Sequence, residues 1–309
     1  MSIRRIALLA SFLGILLVGR IAEAGGNVTW SSTGGPTGGF VNALVSAPSA
    51  PGVLFAGTNG GVYLTRDAGT HWQLVSNGLP DDRAVTALAT SPNASLAFAG
   101  TRAGAFRTRD QGAHWALADA RLADQLILSL LVDPRNPSLV YVGTASTVFR
   151  SDNSGDTWTE IGQELRSVQI WSLALTADST ALYAATDTGI YFSRDRGARW
   201  SRSADGLPEG TRVQALAITE RAFFAGTSRG LFRSKDGSAW SASGGMMSSS
   251  LVRPIVSDAR QPDRVFAITA NGLAKSSDGG ITWAPVSNAP NDILSLTLGD
   301  KGALYIGTA

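Results

Sequence analysis

Short apolar runs alternate with turn residues along most of the chain. In one representative stretch, the apolar run 85–89 is followed by a turn at 91–93 and by further apolar runs at 96–101 and 105–108. A glycine-containing turn then leads into residues 114–117. No part of this stretch keeps a helical period over about ten residues, so the pattern predicts four short β-strands joined by tight turns.

This four-strand unit repeats about every 42 residues. A tryptophan marks each copy, at Trp30, Trp72, Trp115, Trp158, Trp200, Trp240 and Trp283. A second marker, Ala-Gly-Thr or a close variant, keeps the same phase and ends at residues 58, 101, 144, 186, 227, 269 and 308. Four strands in a repeat of roughly 40–45 residues are typical of a β-propeller blade. The sequence therefore predicts an all-β, seven-bladed β-propeller of four-stranded blades.

The two ends of the chain carry incomplete units. With the strands of one unit named A to D, we expect strand A (41–45 in the first unit) to line the central channel and strand D to carry the tryptophan. The last unit supplies only an A strand (293–298) and a B strand (303–308), whereas residues 27–31 supply a D strand alone. We expect this N-terminal strand to close the last blade. That blade then either has three strands or lacks about ten residues of the repeat.

The first 24 residues do not belong to the repeat. Arg4 and Arg5 precede an apolar run at 6–18, and an A-x-A site ends at Ala24. This is the pattern of a secretory signal peptide, and the run is short against the about 20 residues of a membrane-spanning helix. We predict cleavage after Ala24, a secreted or periplasmic location, no membrane span after cleavage, and one propeller domain over 25–309.

Composition narrows the function classes. The 309 residues include no cysteine and two histidines, which excludes disulfide scaffolds and thiol nucleophiles and leaves little basis for a histidine metal site or a Ser–His pair. The formal net charge is +2, and the predicted signal segment carries all of that excess. We therefore expect no nucleic-acid partner, no cofactor and no metal, and a monomeric protein.

Six turns between strands C and D share the motif S/T-x-D-x-G-x-x-W, whose first copy runs from Thr65 to Trp72. The Asp or Asn members are Asp67, Asp110, Asn153, Asp195, Asp236 and Asp278. The tryptophans are Trp72, Trp115, Trp158, Trp200, Trp240 and Trp283. The third copy has Asn in place of Asp, and the fifth copy is one residue shorter. We expect a structural role, in which the Asp accepts hydrogen bonds from its own turn, the Gly takes a positive φ and the Trp covers the hairpin.

This motif resembles the Asp-box of the sialidase-type (BNR) repeat superfamily, and the resemblance covers about residues 27–309. The chain is similar to exported single-propeller proteins related to the photosystem II stability and assembly factor family. Sortilin-type ectodomains share the repeats but are larger and carry disulfides. The resemblance implies a propeller whose boxes lie on the face opposite the ligand site, and the assembly factors it resembles act as scaffolds.

If the boxes mark one face, function belongs to the D-to-A loops and B-to-C turns of the other. The second residue of strand A varies widely between repeats, so this ring of positions can carry specificity. Trp171, which is outside the periodic set, lies on this ring among polar residues, an arrangement that suits a glycan or protein contact. Packing between blades is the alternative interpretation of Trp171. The candidate binding residues are Trp171, Arg166, Gln214, Arg253, Asn42, Arg102, Arg229 and Asp187.

Two functions fit these observations. A glycoside hydrolase, by resemblance to sialidases or two-carboxylate propeller glycosidases, needs two carboxylates about 5–10 Å apart. No pair stands out among the acidic residues of the candidate face, which are Asp81, Asp82, Asp124, Glu164, Asp187, Glu209 and Asp292. The Arg-Ile-Pro motif expected of a sialidase is also absent from the sequence. We therefore predict a non-enzymatic scaffold that binds a protein or glycan, with glycoside hydrolysis as the alternative.

Overall fold

The computed structural model describes residues 16–21, 28–36, 39–203, 205–248 and 251–309. These residues form antiparallel β-strands and the turns between them, and no α-helix occurs in these ranges. Short 3₁₀ turns lie at Ala120–Leu122, Gln163–Leu165, Gly245–Met247 and Asp300–Gly302. Within the same ranges, no helix has the length and apolar character needed to cross a membrane.

The strands are numbered in chain order, beginning with β1 (Leu16–Ile21) and β2 (Val28–Ser32). Six sheets then follow, each folded from one continuous stretch of chain with four antiparallel strands. Blade 1 consists of β3 (Val41–Ser46), β4 (Leu54–Thr58), β5 (Gly61–Thr65) and β6 (Gln73–Leu74). Blade 2 consists of β7 (Ala87–Thr90), β8 (Ala97–Thr101), β9 (Gly104–Thr108) and β10 (Ala116–Leu117). Blade 3 consists of β11 (Ile127–Val132), β12 (Val140–Thr144), β13 (Val148–Ser151) and β14 (Thr159–Ile161). Blade 4 consists of β15 (Ile170–Leu175), β16 (Leu182–Thr186), β17 (Gly189–Ser193) and β18 (Ser201–Ser203). Blade 5 consists of β19 (Val213–Ile218), β20 (Phe223–Thr227), β21 (Gly230–Ser234) and β22 (Ser241–Ala242). Blade 6 consists of β23 (Ile255–Asp258), β24 (Gln261–Thr269), β25 (Gly272–Ser276) and β26 (Ala284–Pro285).

The Gly-Thr marker at the end of each second strand has two structural causes. The Thr58 hydroxyl donates to the carbonyl of Gly61 at 3.0 Å and accepts from the Gly60 amide at 3.0 Å, so it closes the turn between β4 and β5. A Cβ added at Gly57 would lie 2.5 Å from Cγ1 of Val85. Glycine therefore lets the next blade approach closely, and threonine satisfies the buried turn.

The first strands of the blades form the inner ring of the molecule. Each contacts the first strand of the next blade, and β27 (Ile293–Leu298) lies between β23 and β3, so the ring is closed. The core is divided into apolar layers between neighbouring sheets, each built from the faces of two sheets. This arrangement explains why β4, β8, β12 and β16 are buried at every residue.

The prediction of seven blades folded from the repeat is wrong. The repeat folds six four-stranded blades, and the ring is closed by a sheet with strand order β2-β1-β28-β27 that joins both ends of the chain. β28 (Leu304–Thr308) pairs with β1, and β1 pairs with β2. This closing sheet has four strands, so it is neither three-stranded nor short of a strand. β1 was not predicted from the sequence, because it lies within the segment that was interpreted as a signal peptide.

The predicted signal segment, 1–24, is described only in part. Residues 16–21 form β1, whereas 1–15 and 22–24 lie outside the described residues. Cleavage after Ala24 therefore stays a prediction.

Candidate functional site

The turns of each blade lie on two opposite faces. The amide of Ala68, in the first Asp-containing turn, donates to the carbonyl of Gly52, in the turn between β3 and β4, at 2.9 Å. We call the surface made by these two kinds of turn the box face. On the other side, the Gln169 amide, from the loop before β15, donates to Oδ1 of Asp187, from the turn between β16 and β17, at 3.2 Å. We call the surface made by these loops and turns the loop face.

On the box face, each aspartate is engaged by its own turn. Oδ1 of Asp67 accepts hydrogen bonds from the Thr65 hydroxyl at 2.8 Å and from the His71 amide at 2.9 Å. The Thr65 oxygen in turn accepts from the amide of Gly69, which has a φ of 91°. The amide and then the ring of His71 hold the pKa of Asp67 down at about 2. This carboxylate therefore closes a turn and is not free for a ligand.

The box tryptophans join consecutive blades. Nε1 of Trp115, in blade 2, donates to the carbonyl of Val75, which follows the last strand of blade 1, at 2.6 Å. Trp158 is 1% exposed and meets the ring of Phe98 edge-on, with the ring centroids 5.9 Å apart. These indoles fill the space between neighbouring sheets.

Two histidines, His71 and His114, occupy equivalent box positions in neighbouring blades. Nδ1 of His71 lies 2.6 Å from Oδ2 of Asp67, and Nδ1 of His114 lies 2.9 Å from Oδ2 of Asp110. Each histidine therefore pairs with the aspartate of its own turn. Across the part of the chain that the structure describes, no group of three or more His, Asp or Glu side chains is placed to hold a metal ion.

On the loop face, the variable second residue of the first strand is a β-bulge in five sheets. The pairing register skips one residue in β3, β11, β15, β19 and β27. The skipped residues are Asn42, Leu128, Trp171, Gln214 and Leu294. A bulged residue is left out of the ladder and its side chain is re-aimed, so it is free to vary without disturbing the sheet. Sequence variation found this ring, although the bulge itself has no sequence marker.

The residue after the bulge is small, and in β11 and β27 it is a serine that bonds to the next blade. The Ser129 hydroxyl donates to the carbonyl of Ile170 at 3.1 Å, and the Ser295 hydroxyl donates to the carbonyl of Val41 at 2.7 Å. These bonds link adjacent first strands around the ring. Where this small residue is serine, it therefore serves inter-blade bonding as well as packing.

Trp171 lies at the start of blade 4 and is partly buried. Its Nε1 atom is inaccessible to solvent and has no hydrogen-bond partner among the described residues, as is also true of Trp72 and Trp200. The bond between Gln169 and Asp187 lies on the same edge of blade 4 as this indole. The structure thus brings Trp171 and Asp187 to the same edge of blade 4. The indole N–H of Trp171 has no hydrogen-bond acceptor among the described residues.

Three further candidates have protein partners. Nε of Arg166 lies 3.2 Å from Oε1 of Glu160, and both side chains are exposed. Nδ2 of Asn42 donates to Oδ1 of Asn59 at 2.9 Å and to the carbonyl of Val85 at 3.2 Å. Asp187 accepts the Gln169 amide described above. Asn42 and Asp187 therefore hold loops together, which the sequence did not reveal.

The arginines of the candidate set are spread around the same face. Arg102 and Arg229 lie in the turns between the second and third strands of blades 2 and 5, and Arg253 lies just before β23. All three are exposed, and their guanidinium groups make no hydrogen bond or ion pair with the protein groups that the structure describes. Gln214 is the bulged residue of blade 5 and is partly buried. The candidates therefore share the loop face but do not form one compact cluster.

A groove of about 560 Å³ lies elsewhere, on the box face between blades 2 and 3. Its lining residues are Ser91, Pro92, Asn93, Ser95, Leu96, Arg109, Pro137 and Ser154. Nη2 of Arg109 is 2.9 Å from Oδ2 of Asp156, so the cation at its wall is already paired. Sequence analysis did not point to this groove because its lining consists of turn residues.

In the described ranges, every carboxyl group with a shifted pKa has a pKa below its ordinary value. They are Asp67, Asp110, Asp119, Asp156, Asp178, Asp195, Asp236 and Asp278. Hydrogen bonds to the charged form are the main cause in each case. The general acid of a glycoside hydrolase needs a raised pKa, so these groups are unsuited to that role.

Part of the chain matches a family of propeller domains. Residues 165–298 match the family described as the DUF6242 β-propeller domain. A xyloglucanase from Hypocrea jecorina (strain QM6a) is 29% identical over 130 residues, which are 41% of this chain and 15% of that protein. The chain therefore spans only a small part of that relative.

Solved structures give the same fold. The GH74 xyloglucanase from Xanthomonas campestris superposes with a TM-score of 0.71 at 20% identity, over 88% of this chain and 51% of that one. The chain thus spans about half the length of that enzyme. YCF48 bound to D1 peptide superposes with a TM-score of 0.59 at 18% identity, over 86% of this chain and 94% of that one. At these identities the likeness shows the fold, which is shared by an enzyme and by a protein solved with a bound peptide.

Proposed function

We propose that this chain is a non-enzymatic, exported scaffold that recognises a protein or glycan partner through its loop face. The observation that carries the proposal is the bulge ring. In five sheets the fold leaves one residue of the first strand out of the pairing, and that residue varies widely between repeats. A position that the fold leaves unconstrained is where a binding surface can be specified.

The chemistry of the loop face supports recognition. The partly buried Trp171 offers part of an apolar ring, whereas its indole N–H is closed off from solvent. The exposed guanidinium groups of Arg102, Arg229 and Arg253 offer planar sets of donors for carboxylates or hydroxyl groups. Tryptophan and arginine are residue types that are enriched at the energetically important positions of binding surfaces. The peptide bound to YCF48, a protein of the same fold, supports a protein partner.

Glycoside hydrolysis is the second candidate, and the likeness to xyloglucanases favours it. Hydrolysis needs two carboxylates placed across a sugar. Asp187, from the turn between β16 and β17 of the same blade as Trp171, accepts a main-chain hydrogen bond that closes its loop. This engagement favours binding over catalysis at the edge of blade 4.

The experiment that separates the two functions measures binding and turnover on the same protein. Xyloglucan oligosaccharides, aryl glycosides and sialosides are incubated with wild type, and products are detected by mass spectrometry. We expect no turnover. Turnover that is lost on substitution of a loop-face Asp or Glu would establish the hydrolase instead.

A further inference from the structure

The closing sheet differs from the six blades in how its third strand position is filled. β1 occupies this position, with Leu16 opposite Gly307 and Gly19 opposite Leu304 on one side. On its other side, Leu17 lies opposite Ser32 and Ile21 opposite Val28. β1 is therefore the link between β28 and β2, and its removal would leave both neighbours with unpaired main-chain groups.

β1 also lacks the residues that fix the third strand in every blade. In blade 1, the residue opposite Leu54 is Thr65, whose hydroxyl holds the box turn. Leu304 is the equivalent of Leu54, and the residue opposite it is Gly19. The segment between Gly19 and Trp30 contains no aspartate. The sequence that follows β1 therefore lacks the aspartate of the box motif.

The neighbours of this position are apolar on both faces. Leu304 and Ile306 are fully buried and belong to a cluster with Phe266 and Leu273 of blade 6. On the opposite face, Tyr305 packs with Leu54 of blade 1. Because successive side chains of a strand point to opposite faces, a strand placed beside β28 meets apolar surface on both sides.

The predicted cleavage site, after Ala24, lies between β1 and β2. Cleavage there would separate β1 from the chain while leaving β2 attached. We propose that the position between β28 and β2, which we call the strand slot, is a peptide-binding site, filled in the uncleaved chain by β1 and taken after cleavage by an extended apolar peptide segment of another protein. This inference rests on the export that is part of the proposed function.

The geometry and the apolar surroundings of the strand slot determine which peptides it would bind. The occupant is a segment of about six residues, extended and antiparallel to both β28 and β2, as β1 is. Main-chain hydrogen bonds on both edges supply affinity, and apolar side chains on both faces supply selectivity, as in other cases of strand addition. Proline within the paired run would remove a main-chain donor.

The test starts from the folded, uncleaved chain. A specific protease site inserted after Ala24 is cut after folding, and a fluorescent peptide with the sequence of residues 14–22 is added. The cut protein is expected to exchange its own segment for one labelled peptide per chain. The matched control is the same peptide carrying Val18→Pro, for which we expect at least about tenfold weaker binding. The uncut chain, whose slot is filled, is expected to take up neither peptide.

Hydrogen exchange at residues 304–307 gives a second measurement. We expect those of their amides that face the slot, and not those that face β27, to be protected in the uncut chain, exposed after release of the cut segment and protected again by the added peptide. The proposal is overturned if protection persists without any segment, if the segment is never exchanged, or if both peptides bind equally. Trp171→Ala is expected to leave peptide uptake unchanged, so failure of the slot and failure of loop-face binding are distinguishable.

Discussion

Nε1 of Trp115 donates a hydrogen bond of 2.6 Å to the carbonyl of Val75, 40 residues earlier in the chain and in the preceding blade. The indole is 4% exposed, so the bond is shielded from water. Blades 1 and 2 are joined by this bond and by main-chain bonds such as that from the Trp115 amide to the Asn77 carbonyl. The periodic tryptophan therefore acts between blades as well as within its own hairpin.

Loss of this bond should lower stability. Trp115→Phe keeps an aromatic ring but leaves the Val75 carbonyl unsatisfied, at a cost of about 1–3 kcal/mol. Trp171→Phe is the matched control because Nε1 of Trp171 has no partner among the described residues. Urea unfolding should show a clearly larger loss of unfolding free energy for Trp115→Phe. Equal losses would mean that the bond contributes nothing measurable.

The box turns should make stability sensitive to acid. The His71 amide lowers the pKa of Asp67 to about 2, well below the ordinary 3.8 of an aspartate, so the folded state favours the charged carboxylate. Its stabilisation is complete above the unfolded pKa and is lost as the pH falls through about 4 to about 2. Asp67→Asn should therefore reduce the fall in melting temperature over that interval.

Blade 3 provides the reciprocal variant. Oδ1 of Asn153 accepts the Thr157 amide at 2.9 Å, so an uncharged residue can close this turn. Asn153→Asp should add acid sensitivity where Asp67→Asn removes it. An unchanged acid profile in both variants would contradict the assignment.

Close approach of neighbouring blades should make the marker glycine intolerant of substitution. A Cβ at Gly100 would lie 2.6 Å from Cγ2 of Ile127. Gly100→Ala is therefore expected to destabilise the protein by about 1–3 kcal/mol through overpacking. Adding Ile127→Ala should recover part of this loss, and a double-mutant cycle measures the coupling. Strictly additive effects would show that the two residues do not compete for the same space.

The pairing of β1 with β28 can be tested by cross-linking, because the natural chain has no cysteine. Leu17 lies opposite Ile306, so Leu17→Cys with Ile306→Cys should form a disulfide in the uncleaved chain. Leu16→Cys with Ile306→Cys is the off-register control, since neighbouring strand residues point to opposite faces. Efficient cross-linking of the control, or none in the matched pair, would contradict the closing sheet.

The sequence predicted the blade because its markers are physical requirements of every copy. The period of the tryptophans follows from blades of equal size, and the pattern of apolar runs follows from buried second strands such as β4 and β8. The closing sheet could not be predicted in the same way. β1 has the composition of a signal peptide and none of the box residues, so its pairing with β28 depends on contacts between the chain ends.

The candidate site was predictable only in outline. Comparison of the repeats identified the variable position of the first strand, but its cause, the bulge at residues such as Trp171, has no residue signature. The loop-closing bonds of Asn42 and Asp187 were also not predictable, because the loops that provide their partners have no regular pattern. Polar residues in irregular loops are equally suited to binding and to loop closure.

The most direct test of loop-face recognition is a binding screen with matched variants. Labelled wild-type protein is applied to arrays of glycans and of peptides, together with Trp171→Ala, Arg253→Ala and the box-face control Arg199→Ala. We expect to find ligands that bind wild type and Arg199→Ala equally well. The same ligands should bind Trp171→Ala and Arg253→Ala at least about tenfold more weakly, and they should be recovered uncleaved. Ligands held equally by all four proteins, no ligand for wild type, or cleavage of a bound glycan would contradict the account.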